Sequence, residues 1–171
     1  MIRRYVALVE MLSRAFGVVA VLLLIAAMLV VCQMIFFRYV FRAPTIWQTD
    51  FVVYTATAAI FLGAPYVLLT RGHVGVDVIE MVVRPQTRRR MRFAASVLGF
   101  LFCASMLYAS WIYFHEVWEN EWRTSGVWQI PLWMPTLPLP VGFGLLCLQY
   151  IAEMLKLKDA APEATPSHLP P

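Results

Sequence analysis

Charged side chains are scarce in this sequence of 171 residues, of which 14% are Asp, Glu, Lys or Arg and 61% are hydrophobic. An ordinary soluble domain carries about 25% charged residues, so the composition excludes a soluble domain. Three stretches lack Asp, Glu, Lys, Arg and His altogether: residues 17–37, 51–70 and 93–114. At about 1.5 Å of rise per residue, each can cross the roughly 30 Å hydrocarbon core of a bilayer. The missing charges therefore predict an all-α membrane protein with spans in these stretches.

A fourth stretch, residues 124–152, also lacks charge, but four prolines between positions 131 and 140 interrupt its first part. Proline is tolerated in the first turn of a helix, where its missing N–H has no intrahelical partner to lose. A fourth transmembrane helix is therefore predicted over residues 140–157. The expected organisation is a single four-helix transmembrane domain over residues 1–158, followed by a short, Pro-rich, disordered cytoplasmic tail over residues 159–171.

The distribution of lysine and arginine predicts the orientation in the membrane. Of the 14 such residues, three precede the first span, six lie between the second and third, two lie at or beyond the end of the fourth, and three occupy the other two loops. Because short cytoplasmic loops retain the positive residues, both termini and the middle loop are predicted to be cytoplasmic. The arginines cluster at helix ends and form no basic stripe, so the net charge of +4 indicates topology and no nucleic-acid partner is expected.

Cysteine and histidine are too few and too scattered to predict a metal or catalytic centre. Cys32, Cys103 and Cys147 all fall within spans and form no CxxC pair, which is typical of apolar packing. His73 and His115 are expected near opposite membrane surfaces, so one haem cannot join them. No ionisable group lies within the three uncharged spans, and no catalytic set shares a depth in the membrane. The chain is therefore not expected to be an enzyme or to carry a substrate alone.

The remaining polar side chains within the spans are few and uncharged. They are Gln33, Tyr54, Thr55, Thr57, Ser96, Ser105, Tyr108 and Gln149. In membrane bundles such side chains most often hydrogen-bond one helix to another. A scaffold or partner subunit is therefore expected, and one alternative is a non-transporting anchor or haem-binding subunit of a membrane redox complex.

The segment "TRGHVGVDVIE" after the second span predicts a short amphipathic helix. Asp77 and Glu80 have the spacing of a capping box, and Pro85 ends the pattern. Apolar side chains recur at helical spacing between positions 74 and 82. Such a helix would lie in the headgroup region of the cytoplasmic loop between helices 2 and 3, with His73 as a polar tether at the interface.

The sequence resembles a known family over most of its length outside the ends, from "FRYVFRAPTIWQTDFVVYTATAAIFLGAPYVLLTRGHVGVDVIEMVV" to "SGVWQIPLWMPTLPLPVGFGLLCLQYI". In that family an arginine and aromatics close the first helix, a Trp precedes an acidic helix start, "LGA" lies within the second helix, and "R-x-H-x-x-V-D" follows it. The matching positions are Arg38, Tyr39, Trp47, Asp50, Leu62 to Ala64, Arg71, His73, Val76 and Asp77. One departure is Thr49 with Asp50, where the family often has one or two glutamates. The family is the small membrane (Q) subunit of tripartite ATP-independent periplasmic (TRAP) transporters.

This resemblance implies a function that composition does not. A periplasmic solute-binding protein delivers organic anions, such as carboxylates or sialic acid, to a membrane pair that imports them with a sodium gradient. The large M subunit holds the substrate and sodium sites, and the small subunit extends the fixed scaffold and helps to dock the binding protein. The resemblance thus implies a multi-pass protein of the bacterial inner membrane that contacts the M subunit, the binding protein and lipids, and that holds no cofactor itself.

The residues expected at a partner or lipid interface fall into three groups. Trp47 and Asp50 are expected to anchor the start of the second helix at the membrane surface or to touch a partner. Ala59 and Gly63 are expected on a small-residue face that lets a partner helix approach closely. The cytoplasmic group, expected to meet lipid phosphates or partner acids, is Arg71, His73, Asp77, Arg88, Arg89 and Arg90. In the third loop, acidic residues near Trp118 and Trp122 would either touch the binding protein or solvate a helix end.

Overall fold

The computed structural model describes residues 2–42, 44–71, 85–124 and 129–159. Its helices are α1 (Ile2–Val40), α2 (Trp47–Arg71), α3 (Pro85–Glu119), the short α4 (Trp133–Thr136) and α5 (Pro138–Asp159). Within these ranges no residue belongs to a β-strand, and one isolated bridge pairs Arg123 with Pro131. The short helix predicted after Asp77, and the predicted tail from residue 160 onward, lie outside the described residues.

Four segments of the described chain are long and apolar enough to cross a membrane: Arg4–Val40, Trp47–Thr70, Phe93–Glu119 and Trp133–Lys156. They confirm the prediction of an all-α protein with four spans. Helices α1 and α3 contain 39 and 35 residues. At 1.5 Å per residue they measure about 58 Å and 53 Å, well over the roughly 30 Å of a hydrocarbon core. Each therefore either tilts in the bilayer or continues beyond the hydrocarbon.

The fourth span begins earlier than predicted. Helical structure starts at Trp133, and the short α4 leads through Leu137 into α5. The N–H of Leu137 donates to the carbonyl of Trp133 at 3.0 Å, and the N–H of Val141 donates to the carbonyl of Leu137 at 3.4 Å. Proline at position 138 opens α5, where no intrahelical N–H bond is lost. The prolines therefore divide the beginning of the fourth span into a short and a long helix, but they do not prevent helix formation there.

The helices pack unequally around α5. Helix α1 packs mainly on α2, α2 also packs on α5, and α3 contacts the other helices almost entirely through α5 and α4. Among the described residues, α5 thus touches every other long helix, and its Gln149 and Ala152 are fully buried. The core of the subunit lies along this helix, and α3 is attached on one side.

Glycines set the separation of the helices because an aromatic residue lies against each of three of them. A Cβ placed on Gly17 of α1 would lie 2.6 Å from Cγ of Tyr66 on α2, and one placed on Gly99 of α3 would lie 2.6 Å from the ring of Tyr150 on α5. A Cβ on Gly142 would lie 2.5 Å from the carbonyl oxygen of Phe61. Small residues drive association in a membrane by allowing such close approach, since lipid tails are as apolar as leucine.

A polar seam joins α1 and α5 where these helices cross; it comprises Glu10, Ser13, Gln149, Glu153 and Lys156. The hydroxyl of Ser13 donates to Oε1 of Gln149 at 3.0 Å, and both side chains are buried. Nζ of Lys156 lies 2.6 Å from Glu10 and 3.5 Å from Glu153. The buried Nε2 of Gln149 has no hydrogen-bond partner among the described residues. The Ser13–Gln149 bond fixes the first helix to the last and confirms the predicted helix-joining role for Gln149. The hydroxyls of Thr57 and Ser105, predicted to join helices as well, donate to carbonyls of their own helices.

We predict that Gly142→Ala destabilises the isolated subunit in detergent, whereas Gly144→Ala does not. The new methyl at 142 meets a backbone oxygen, which cannot rotate away, and such overpacking costs about 1–3 kcal/mol. At position 144 the nearest atom is the Leu107 side chain at 3.9 Å, so alanine keeps its helix-propensity advantage of about 1 kcal/mol. Equilibrium unfolding in SDS gives the free energy of unfolding of each variant. Equal stability of the two variants would contradict the close α2–α5 contact.

We also predict that Ser13→Ala lowers the free energy of unfolding by about 1 kcal/mol, because hydrogen bonds between membrane helices average about 0.6 and reach about 1.7 kcal/mol. The matched control is Ser105→Ala, since the exposed Ser105 hydroxyl donates only to the carbonyl of Phe102 on its own helix, at 2.7 Å. The same SDS titration, run with Gln149→Leu and the double variant, gives the coupling energy. Purely additive losses would show that the Ser13–Gln149 bond contributes nothing.

Candidate interaction surfaces

One end of the bundle, here called the Trp-rich end, is where α1 and α3 finish and α2 and α4 begin. At the start of α2, the rings of Trp47 and Phe51 meet edge to face with centroids 6.3 Å apart. Asp50 lies in the first turn, where a carboxylate stabilises the positive end of the helix. At the end of α1, the tilted rings of Phe37 and Phe41 are in contact, with centroids 5.4 Å apart. This placement fits a belt of aromatic anchors at a membrane surface.

A second aromatic group at the Trp-rich end joins α3 to α4. Successive ring contacts run from Trp111 to Phe114 to Trp118, with centroids 6.4 Å and 6.1 Å apart. Trp118 then meets Trp133 at 5.4 Å, edge to face. These contacts cover the end of α3 with the beginning of the fourth span. They hold the two helices together close to the surface.

The end of α3 has a left-handed cap formed without glycine. Glu121 has a φ of 47°, and the N–H of Trp122 donates to the carbonyl of Val117 at 3.3 Å. The N–H of Glu121 donates to the carbonyl of Trp118 at 3.5 Å, which completes the Schellman pattern. This turn directs the chain back toward α4, where the N–H of Leu132 donates to the carbonyl of Trp122 at 2.8 Å.

A shallow depression of about 320 Å³ lies on α3 near this cap. All its lining residues come from this one helix: Trp111, Ile112, His115, Glu116 and Glu119. Nδ1 of His115 lies 3.4 Å from Glu119, and both side chains are largely exposed. A surface built by one helix cannot enclose a substrate. Searched over the described residues, the chain also has no group of three or more His, Cys, Asp or Glu side chains that could hold a metal ion.

The small-residue face predicted for a partner is used inside the subunit. Ala59 is only 2% exposed, and a Cβ on Gly63 would lie 3.1 Å from Cβ of Ala20 on α1. The structure therefore corrects the assignment of Ala59 to an external interface, whereas Gly63 is half-buried and packs against α1. Spacing on α2 reveals a face suited to close approach, but the approaching helix is the chain's own α1.

The predicted arginine group lies at the opposite end of the bundle. Arg71 is the last residue of α2, and Arg88, Arg89 and Arg90 fall in the first turns of α3. All four positions therefore border the loop of residues 72–84 from either side. His73 and Asp77 lie outside the described residues.

The structure exposes one surface that sequence reasoning missed. Tyr108, expected to tie helices together, is 69% exposed on the side of α3 turned away from α5. We call this side the α3 outer face, and it comprises Leu101, Phe102, Ser105, Tyr108, Ala109 and Ile112, all exposed. A signal was present in the sequence, since Ser105 and Ala109 are one turn apart among large apolar residues. Their spacing did not reveal whether the face points inward or outward.

Comparison with known proteins identifies the family. The model of the DctQ component of tripartite ATP-independent periplasmic transporters matches residues 27–159. A protein of Vibrio cholerae serotype O1, the C4-dicarboxylate TRAP transporter small permease protein DctQ, is 23% identical over 135 residues, which cover 67% of this chain but only 58% of that protein. The predicted resemblance is thereby confirmed, and with its four spans the chain is a multi-pass membrane component of transport rather than an enzyme. The chain belongs to the DctQ component family of the tripartite ATP-independent periplasmic transporters.

Proposed function

We propose that this chain is the small permease subunit that scaffolds the large M subunit of a TRAP transporter, which imports organic anions with sodium after delivery by a periplasmic solute-binding protein. The family match over residues 27–159 carries the proposal. C4-dicarboxylates are the first substrate class to test, because the Vibrio cholerae relative is named for them. Sialic acid is the second class.

The composition of the spans supports a role without substrate chemistry. A dicarboxylate and its sodium ions need charged or strongly polar groups at membrane depth, and residues 17–37, 51–70 and 93–114 contain no Asp, Glu, Lys, Arg or His. We therefore assign the substrate and sodium sites to the large subunit and no cofactor to this chain. The helices of this chain then contribute contact area and a fixed geometry to the transporter.

The internal contacts support a rigid scaffold. The close contacts at Gly17 and Gly142 are backed by the Ser13–Gln149 bond and by the Lys156–Glu10 ion pair. A packed interior resists continuous deformation, so α1, α2 and α5, held in this way, move as one body. Such a body gives a mobile partner a fixed surface to move against.

We place the chain in the bacterial inner membrane with both termini and the arginine-bordered loop in the cytoplasm. The bias of lysine and arginine toward these segments supports this orientation. The positions of Arg71 and Arg88 to Arg90 then lie at the cytoplasmic side, where the inner leaflet carries its headgroup phosphates. The Trp-rich end faces the periplasm, where Trp47, Asp50 and the end of α3 are available to the binding protein or the large subunit.

The orientation predicts the outcome of reporter fusions. A fluorescent protein that folds only in the cytoplasm should fluoresce at either terminus, and alkaline phosphatase should be active when inserted after Glu121 but inactive at either terminus. If neither terminal fusion fluoresces, the chain has the opposite orientation in the membrane. Fluorescence at one terminus alone would contradict the even number of spans.

Reconstitution tests the division of labour. In proteoliposomes with an inward sodium gradient, radiolabelled succinate uptake should require this chain, the large subunit and the binding protein together. The chain alone should show no uptake above empty liposomes, because residues 17–37, 51–70 and 93–114 contain no Asp, Glu, Lys, Arg or His and the fourth span contains none before Glu153. Uptake by the chain alone would overturn the scaffold role. A Soret absorption band in the purified chain would favour the alternative, a haem-binding subunit of a redox complex.

A further inference from the structure

The two sides of α3 differ in their surroundings. Ser96, Cys103, Ser110 and Val117 recur every seven residues and are all buried on the side that packs against the bundle. The α3 outer face lies opposite, and Tyr108 is the most exposed of its large side chains, at 69%. No described residue covers this face, so in the membrane it meets either lipid or another protein.

Tyr108 places a hydroxyl in the hydrocarbon region. It lies about two helical turns, or roughly 10 Å, before His115 in a stretch without charge. Helix side chains lean toward the N-terminus, so the ring of Tyr108 points away from the nearer membrane surface and cannot bring its hydroxyl to water there. No described residue forms a hydrogen bond with this hydroxyl. Acyl chains offer no hydrogen bond, so contact with lipid alone leaves the group unpaired.

The neighbours of Tyr108 suit a helix rather than acyl chains. Ser105 and Ala109 are small residues one turn apart, and the Ser105 hydroxyl is already paired with the Phe102 carbonyl at 2.7 Å. Small side chains at this spacing allow a second helix to approach closely. Leu101 and Ile112, 58% and 48% exposed, provide apolar area on either side.

The exposed side of α1 makes a useful contrast. Between positions 18 and 29 its exposed large side chains are all aliphatic or methionine, including Leu22, Ile25 and Met28. Lipid can cover them with no polar group left unpaired. Gln33 is exposed too, but it lies about one and a half turns from Arg38 and therefore close to the headgroup region. Of these two exposed helix faces, only that of α3 therefore places an unpaired hydroxyl at membrane depth.

We propose that the α3 outer face docks a transmembrane helix of the large subunit, and that a polar group on that helix pairs with the Tyr108 hydroxyl. The inference rests on the proposed scaffold function and names its contact surface. The occupant is a helix because it supplies a hydrogen bond, a backbone close to Ser105 and Ala109, and apolar side chains at the same depth.

Photo-crosslinking in membranes tests the location. A benzophenone-bearing phenylalanine is introduced at position 101, in the α3 outer face, or at position 28, which is 60% exposed on α1. Each variant is co-expressed with the large subunit of its own transporter. Position 101 should give an adduct with the large subunit and position 28 should not. An adduct only from position 28, or an adduct of two copies of this chain from position 101, would overturn the proposal.

A matched pair of variants tests the hydrogen bond. Tyr108→Phe removes only the hydroxyl and should weaken retention of the large subunit roughly three- to eighteenfold in detergent, the range found for one hydrogen bond between membrane helices. Tyr113→Phe is the control, because Tyr113 is 40% exposed and lies within a turn of His115, near interfacial water. Equal retention by both variants would refute the role of Tyr108.

Failure of this inference can be told apart from failure of the proposed function. If the wild-type chain retains the large subunit but crosslinks to it only from position 28, the scaffold role stands and the α3 surface is wrong. If the wild-type chain does not retain the large subunit in membranes where both are present, the scaffold role fails and the docking inference fails with it.

Discussion

Hydrocarbon offers no hydrogen bonds, so a polar group in the spans is favourable only where another group of the protein pairs with it. The backbone satisfies this constraint by forming helices. Side chains satisfy it in two ways: Thr57 and Thr70 donate to carbonyls of their own helix at 2.8 Å and 3.0 Å, whereas Ser13 reaches across to Gln149. The first way leaves a helix independent of its neighbours, and the second fixes two helices in register. The exposed hydroxyl of Tyr108 follows neither pattern.

In lipid the hydrophobic effect does not drive helices together, so close packing of complementary helix surfaces has to do so. The recurring device in this bundle is a glycine on one helix against an aromatic ring or its backbone on the next. Gly17 faces Tyr66, Gly99 faces Tyr150, and Gly142 faces Phe61. Two of the three contacts involve α5, the helix that touches all the others. The three helix pairs joined by these glycines, α1 with α2, α3 with α5 and α2 with α5, are also the pairs that pack most extensively.

The lack of charge in three stretches was enough to predict the spans and the fold class, because charge at membrane depth is costly. Which side of each helix faces its neighbours was not predictable in the same way. Interior and lipid-facing positions are both apolar, so periodicity carries little information about direction. Ala59 was therefore assigned outward although it packs inside, and Tyr108 was assigned inward although it is exposed. Ser13 was missed because it precedes the uncharged stretch, beside Arg14.

The one-sided attachment of α3 has a mechanical consequence for a scaffold. Among the described elements, α5 and α4 hold α3, through contacts such as Gly99 against Tyr150 and Trp118 against Trp133. A partner helix on the α3 outer face would enclose α3 between two neighbours. Binding that requires the folded position of α3 stabilises that position by mass action. The surface that receives the partner would then become rigid through the same contact, so that the complex, more than the isolated subunit, provides the fixed frame.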